Sequence, residues 1–481
     1  MDLDADAAYL ALKARDARFD GRLFVGVTST GVYCRPVCRV RTPKRENCRF
    51  FDTRAQAEAA AFRPCLKCRP EIAPGLSAMD SSRTLADTAA RMVEHAVHSG
   101  EATSLPALAA RLGVTDRHLR RIFQAAHGVA PHDYLSTQRL LLAKQLLTDT
   151  GMPVTEVALA SGHGSLRRFH AAFAERYRLN PSQLRRERSA PRPEAPLRLA
   201  YRPPYDVEAM LGFHARRELR GVEQVDALAL RRTVAWSLRG EAIDGWLECR
   251  FVPEHHEVHV RTSANLAPAL GALLQRVRQT LDLDADPARI DPVLARLPVP
   301  LRAGTRLPGG MDGFETAVRI VLGQQVTVKA ARTLVQRLVD RYGRAVATPF
   351  PALTHVFPDA ATLAAADPET LGKLGIVRQR VKALQALAQA VAAGAITLHR
   401  GAAIEATMEA LRALPGIGDW TAQLIAMRAL AWPDAWPASD IGLMNALGTR
   451  DPKQVQALAE PWRPWRAYAV MRLWHHLETT P

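Results

Sequence analysis

Four of the chain's six cysteines fall into two close pairs. Cys34 and Cys38 form a C-x3-C pair (CRPVC), Cys65 and Cys68 a C-x2-C pair (CLKC), and 26 residues, 39–64, lie between them. Tetrahedral Zn2+ takes four soft ligands, and each close pair spans one edge of the tetrahedron. One zinc site held by four cysteines is therefore expected. Four thiolates on a dication leave a formal charge of −2. The sulfurs stay deprotonated and nucleophilic, and alkylation, which sheds negative charge, is favourable. Spacing alone leaves two uses open, a structural knot and a reactive centre. Arg35, Arg39, Arg41, Arg45, Arg49, Arg63, Lys67 and Arg69 crowd the same stretch. They would draw a phosphate backbone close or form a solvated basic face. Cys48 and Cys249 stand outside the pairs and read as ordinary buried or free thiols.

A second constellation lies toward the C-terminus, where Leu414–Ala422 reads LPGIGDWTA. Gly416 and Gly418 allow a tight hairpin between two helices. The N–H groups that open the second helix can grip a DNA phosphate without reading sequence. Such a turn is also compatible with a plain helix connection. Asp440 follows 22 residues beyond Gly418, in WPASDIGLMNALG. His255, His256 and His259 do not make a metal site, because a strand would point the last two to opposite faces. They read as turn and surface residues.

The elements that must position these groups are mostly helical. Leu105, Leu108, Ala109 and Leu112 follow i, i+3, i+4, i+7 spacing, as do Leu119, Ile122, Phe123 and Ala126. Thr103–Phe123 reads helix, turn at Gly113, helix, with Thr115 as N-cap. Pro153–Phe173 repeats the pattern, with the turn at Gly162 and Ser165 as cap, and a helix over about 133–148 joins the two. Arg117, His118, Arg120 and Arg121 fall on the second helix of the first copy, and Arg167 and Arg168 on that of the second. Basic residues there suit phosphate and base-edge contacts. Trp246 to Arg261 predicts a hairpin around Pro-Glu-His-His. Ala73–Ser82 and Arg185–Pro196 read as linkers.

Composition narrows the partners. The 481 residues carry a net charge of +16, and residues 1–190 hold 29 basic against 19 acidic side chains. Such a balance favours nucleic acid, and no polybasic amphipathic helix argues for a membrane. The most apolar stretch, Ala383 to Ile396, is short and interrupted. Asp2, Asp4 and Asp6 stand where a signal peptide needs positive charge, so a cytoplasmic location is expected. That compartment is reducing, which argues against a disulfide framework as the role of the cysteines.

Three resemblances organise these readings. STGVYCRPVCRVRTPKRENCRFF and AAFRPCLKCRP, over about residues 5–72, resemble the N-terminal domain of the Ada adaptive-response family. This implies that Cys34 irreversibly accepts a methyl group from a DNA methylphosphotriester, with Cys38, Cys65 and Cys68 as the other zinc ligands. The double helix-turn-helix, ending in LNPSQLR, resembles AraC-type regulators over about 85–187, with Leu184 where that family often has an aromatic. The hairpin followed by Asp440 resembles the helix-hairpin-helix DNA glycosylase superfamily. YRPPYDVEAMLGFHARRELRGVE, LPGGMDGFETAVRIVLGQQVTVKAA, LPGIGDWTAQ and PWRAYAVMRLW resemble AlkA-type 3-methyladenine glycosylases over about 197–479.

The implied fold is multidomain and mainly α with α+β parts: a zinc domain (1–75), an AraC-type double helix-turn-helix (80–188), a small α+β domain (197–300) and the helix-hairpin-helix glycosylase domain (301–481). The implied activity is hydrolysis of the N-glycosidic bond of alkylated purines. Asp440 would stabilise the oxocarbenium-like transition state, Trp420 and Trp474 would hold the cationic flipped base, and Gln325 would wedge into the vacated stack. Leucine is known at the wedge position, and Leu424 stands where the family can carry a tyrosine. Trp420 takes the place of the lysine of lyase relatives, so no Schiff base forms there. No cysteine follows Cys249, which excludes an iron–sulfur cluster, and no PCHR motif points to an O6-alkylguanine acceptor. The expected partners are double-stranded DNA, alkylated and promoter, and RNA polymerase, with a monomer as the working unit. An activator with an inactive glycosylase domain, and a zinc-stapled DNA-binding module without methyl transfer, are the alternative readings.

Overall fold

A computed structural model describes residues 4–16, 19–20, 23–68, 70, 78–99, 104–149, 152–187, 196–238, 241–300 and 302–479. Arg69, residues 73–77 of the first linker and residues 188–195 of the second lie outside the described residues, and the first linker is shorter than expected because Ala78 already opens the helix Ala78–Ser99. The chain divides into two units. One contains the residues up to Arg91 together with those up to Tyr134 from the first helix-turn-helix. The other contains residues 92–102 and the chain from Leu135 onward.

In the first unit, four short strands form a sheet in the order β3-β1-β2-β4. β1 is Phe24–Val27, β2 Val32–Cys34, β3 Cys48–Phe51 and β4 Arg63–Pro64. β1 pairs antiparallel with β2 and β3, while β4 lies parallel to β2. That parallel pairing brings the second cysteine pair to the first: the Cys65 N–H donates to the Tyr33 carbonyl at 3.0 Å. Apolar residues on the two faces bury separately, Leu12 and Val25 on one and Phe24, Tyr33 and Phe62 on the other. The first helix-turn-helix follows as Leu105–Arg111 and Asp116–His127. Gly113 takes the left-handed φ of +65° that its turn requires, and the Thr115 hydroxyl caps the second helix by accepting from the His118 N–H.

In the second unit, the helix-turn-helix pattern recurs as Val154–Ala160 and Leu166–Tyr177, with Ser165 as the cap. A five-stranded antiparallel sheet follows in the order β5-β9-β8-β7-β6. β5 is Leu197–Ala200, β6 Glu223–Val225, β7 Ala229–Leu238, β8 Glu241–Val252 and β9 Glu257–Thr262. The hairpin expected around residues 253–256 is β8–β9. His256 sits exposed in its turn, and His259 pairs with Glu257 at 3.2 Å.

Helices from Gly313 onward build the largest core, which runs from Phe314 and Val318 to Ala469 and Leu473. Buried Arg232, half-buried Arg319 and two buried glutamates lock the sheet to the Gly313–Leu322 helix. Arg232 of β7 meets Glu223 of β6 at 2.8 Å and Glu315 of the helix at 2.6 Å, and Arg319 meets the same glutamates at 2.9 and 2.6 Å. Each charge has two opposite partners, the condition under which buried ions are tolerated. Among the described residues no helix is long and apolar enough to cross a membrane.

Candidate active site and metal centre

The four paired cysteines converge. The Sγ atoms of Cys34, Cys38, Cys65 and Cys68 all lie within 4.8 Å of one another, and all four residues are buried. Zinc–sulfur bonds of about 2.3 Å in a tetrahedron need sulfurs roughly 3.8 Å apart, so the donor set fits Zn2+ with small adjustment. The turn carrying the first pair closes with the Cys38 N–H on the Arg35 carbonyl at 3.1 Å. Hydrogen bonding with Cys38 and Cys68, then burial, pushes the Cys34 thiol upward, whereas hydrogen bonding with Cys34 and Cys68 draws Cys38 down. Four such thiols cannot all ionise unaided, and a dication resolves that conflict. Cys48 and Cys249 are buried apart from this cluster, and burial pushes both thiols up.

The basic residues around the cluster divide into two groups. Arg35 does not face solvent: it is 1% exposed and its guanidinium is paired with Asp20, Nε to Oδ1 at 2.7 Å. It belongs to the scaffold under the metal site and not to a DNA-facing set. Arg39, Arg41, Arg49, Arg63 and Lys67 are exposed. Arg45 is half-buried, stacks on Phe50 and bonds Asp6 at 2.9 Å.

Arg117 and Arg120 are exposed on the Asp116–His127 helix, and Arg167 and Arg168 on the first turn of the Leu166–Tyr177 helix. The apolar positions of these helices point inward, with Leu119, Ile122, Phe123, Phe169 and Phe173 all at 2% exposure or less.

In the C-terminal half, the hairpin joins the helices Ile404–Arg412 and Asp419–Arg428. Gly416 has φ +77°, and a Cβ there would stand 3.0 Å from that of Ala383. Gly418 begins the second helix with no side-chain cap, and both glycines are exposed. The opening N–H groups of that helix have no intrahelical partner.

Asp440 caps the Ile441–Ala446 helix, where its Oδ1 accepts the Leu443 N–H at 3.0 Å. The same oxygen accepts the Trp474 Nε1–H at 2.9 Å, and Oδ2 accepts the Trp420 Nε1–H at 2.9 Å. Three N–H donors thus fix a carboxylate that is only 9% exposed. Gly442 keeps the approach tight: a Cβ there would lie 2.9 Å from Asp440 Oδ1 and 3.1 Å from the Trp474 ring. Asp440, Trp420 and Trp474 line one cleft of about 350 Å3, together with Leu424 and Phe213. The resemblance assigns both indoles to a flipped base; their ring nitrogens are directed to the carboxylate.

Gln325 lies exposed in the turn before the Val328–Tyr342 helix, at φ +54°. Its neighbour Gln324, which sequence reasoning passed over, ties that turn to the hairpin. The Gln324 amide donates to the Gly416 carbonyl and to the Thr421 hydroxyl, both at 2.9 Å, and Arg380 donates to the Gln324 carbonyl at 2.5 Å. The repeated glutamine in VLGQQV was the available signal.

Comparison with known proteins matches each part. The metal binding domain of Ada matches residues 7–71, a helix-turn-helix domain residues 108–187, the AlkA N-terminal domain residues 196–312, and the HhH-GPD superfamily base excision DNA repair protein residues 318–464. A Mycobacterium tuberculosis protein named "Probable bifunctional transcriptional activator/DNA repair enzyme AlkA" is 39% identical, over 99% of this chain and 97% of that protein. DNA-3-methyladenine glycosylase 2 of Escherichia coli is 35% identical, over 58% of this chain and 96% of that protein. The Escherichia coli bifunctional transcriptional activator/DNA repair enzyme Ada is 33% identical, over 33% of this chain and 43% of that protein. An Ada zinc-binding domain and a DNA-binding helix-turn-helix domain precede a DNA glycosylase in one polypeptide, and the chain belongs to the AlkA family of bifunctional transcriptional activators and DNA repair enzymes.

Proposed function

We propose that the C-terminal half hydrolyses the N-glycosidic bond of alkylated purines of the 3-methyladenine kind and leaves an abasic site. The observation that carries this reading is the carboxylate of Asp440, held by three N–H donors at a cleft beside a Gly-x-Gly hairpin. The hairpin's N–H groups, with Gly416 and Gly418 in the turn, grip the DNA backbone. The damaged base is turned out of the stack, and the Gln325 turn enters the gap. As the C1′–N bond breaks, its electron pair leaves with the base, and the ionised Asp440 stabilises the positive charge growing on the sugar. Water adds to C1′. Trp420 and Trp474 position the carboxylate through their ring N–H groups and offer their rings to the base.

In the N-terminal half, zinc keeps the sulfurs deprotonated when bound. Cys34 takes the methyl carbon of a phosphotriester: a sulfur–carbon bond forms, the carbon–oxygen bond breaks, and its electron pair returns to the phosphate. The metal site loses one negative charge, so its affinity for phosphate rises, and Arg117, Arg120, Arg167 and Arg168 hold promoter DNA. The reading includes RNA polymerase as the partner of the regulatory half, a monomer as the working unit and the cytoplasm as its compartment.

Base release from alkylated DNA tests the first part. Asp440→Asn is expected to abolish release of methylpurine while DNA affinity persists; undiminished release removes the mechanism. Mass spectrometry after incubation with methylated DNA is expected to place one added methyl on Cys34. A methyl on another cysteine, or none, removes the acceptor role.

A further inference from the structure

The cleft beside Asp440 is also lined by guanidinium groups. Arg217, Arg319, Arg332 and Arg428 all line it. Its two carboxylates are already engaged: Asp440 holds three N–H donors, and Glu478 is paired with Arg216. Of the four arginines, only Arg319 has carboxylate partners, and it shares them with Arg232. Among the described residues, Arg217, Arg332 and Arg428 have no carboxylate oxygen within 4.0 Å.

Two of the three are pinned in place. Arg217 lies over the Phe213 ring at 3.7 Å and donates to the Phe213 carbonyl at 3.2 Å. Arg428 lies 4.8 Å from the same ring and donates to the carbonyls of Pro308 and Gly309 at 3.3 and 3.4 Å. Arg332 is exposed on the Val328–Tyr342 helix. Burial, followed by the charges of Arg217 and Arg319, presses the Arg428 guanidinium down to about 9. The adjacent His214 is held neutral by burial and then by Arg428, so it adds no charge. The wall is crowded with like charge, and an anion would relieve it.

When an N-glycosidic bond breaks, both electrons of the C1′–N bond leave on the base. A purine alkylated at N3 or N7 starts positive and departs neutral: guanidinium groups oppose its entry into the cleft as much as they assist its departure, so between the stacked base and the transition state they bring no net gain. A neutral purine departs as an anion, and positive groups fixed beside it stabilise that developing charge. Water then adds its oxygen to C1′ and gives up a proton, and the base anion gains one; the products are an abasic sugar and the neutral free base.

We propose that Arg217, Arg332 and Arg428 set the lesion range of this cleft, by stabilising the departure of neutral purine lesions whose leaving form is an anion. The proposal rests on the glycosylase reading of the same cleft.

The test uses the full-length protein and duplexes carrying a single 7-methylguanine, which is cationic, or a single hypoxanthine, which is neutral. Single-turnover release is measured for wild type, Arg332→Gln and Arg428→Gln. Arg332 is exposed, so its substitution leaves the fold intact even where Arg428→Gln does not. Wild type is expected to release both bases. Arg332→Gln should slow hypoxanthine release about tenfold and 7-methylguanine release less than about twofold, and Arg428→Gln should slow hypoxanthine release by roughly a hundredfold. Equal slowing of both bases by Arg332→Gln, as a phosphate-binding role would give, overturns the proposal, as does no slowing of hypoxanthine release. Release of 7-methylguanine but not hypoxanthine by wild type overturns this proposal alone. Release of neither overturns the glycosylase reading with it.

Discussion

Asp440 holds two different jobs on two oxygens. Oδ1 terminates a helix and receives an indole, and Oδ2 receives the other indole. A hydrogen bond to a charged group is worth roughly 1.5–3 kcal/mol. Replacing Trp474 by Phe keeps an aromatic ring and removes the donor. The expected result is a fall in kcat of about ten- to a hundredfold with little change in KM, read in steady-state base release. An amide at 440 is not a silent change either. Asn can still accept from Leu443, but its NH2 group would then meet the Trp420 N–H, donor against donor. Some loss of thermal stability should accompany the loss of activity. These bonds join residues 20 and 34 positions apart, and no local pattern announces them. The resemblance singled out Asp440, Trp420 and Trp474 as expectations; nothing in the sequence announced their mutual contacts.

Short-range geometry was the most readable layer of the sequence. The Thr115 and Ser165 caps, the turns at Gly113 and Gly162, and the β8–β9 hairpin follow from residue types within a few positions of one another. The cysteine cluster was readable because two close pairs can satisfy one tetrahedron. Arg35 misled, because a charge beside exposed arginines gives no sign of Asp20 on another element. Gln324 was missed because its partners Gly416 and Thr421 lie 92 and 97 residues away. The hairpin itself makes a direct prediction. Gly416→Ala places a Cβ at φ +77° and 3.0 Å from Ala383. A cost of about 1–2 kcal/mol is expected, read by chemical denaturation, along with weaker binding to undamaged duplex.

At the scale of the molecule, charges buried between the sheet and the helices decide how its C-terminal half holds together. Asp282, close before the segment that leads to Leu307, accepts from the Leu307 N–H at 3.0 Å. Burial pushes its carboxyl up to about 6. The unfolded chain releases that proton near pH 3.9. The folded form therefore holds a proton that the unfolded form has lost, and stability from this group falls as pH rises from about 4 through 6. Asp282→Asn should flatten that fall and raise the melting temperature at pH 7 relative to wild type, by the equivalent of on the order of 2–3 kcal/mol. The four-member lattice of Arg232, Arg319, Glu223 and Glu315 has a wider consequence. A fragment cut to begin at the Gly313–Leu322 helix would strip Glu315 and Arg319 of their partners across the joint and uncover the apolar face beneath them. The glycosylase helices are therefore expected to lose stability when pared away from the strands ahead of them, which serve as their counter-ion.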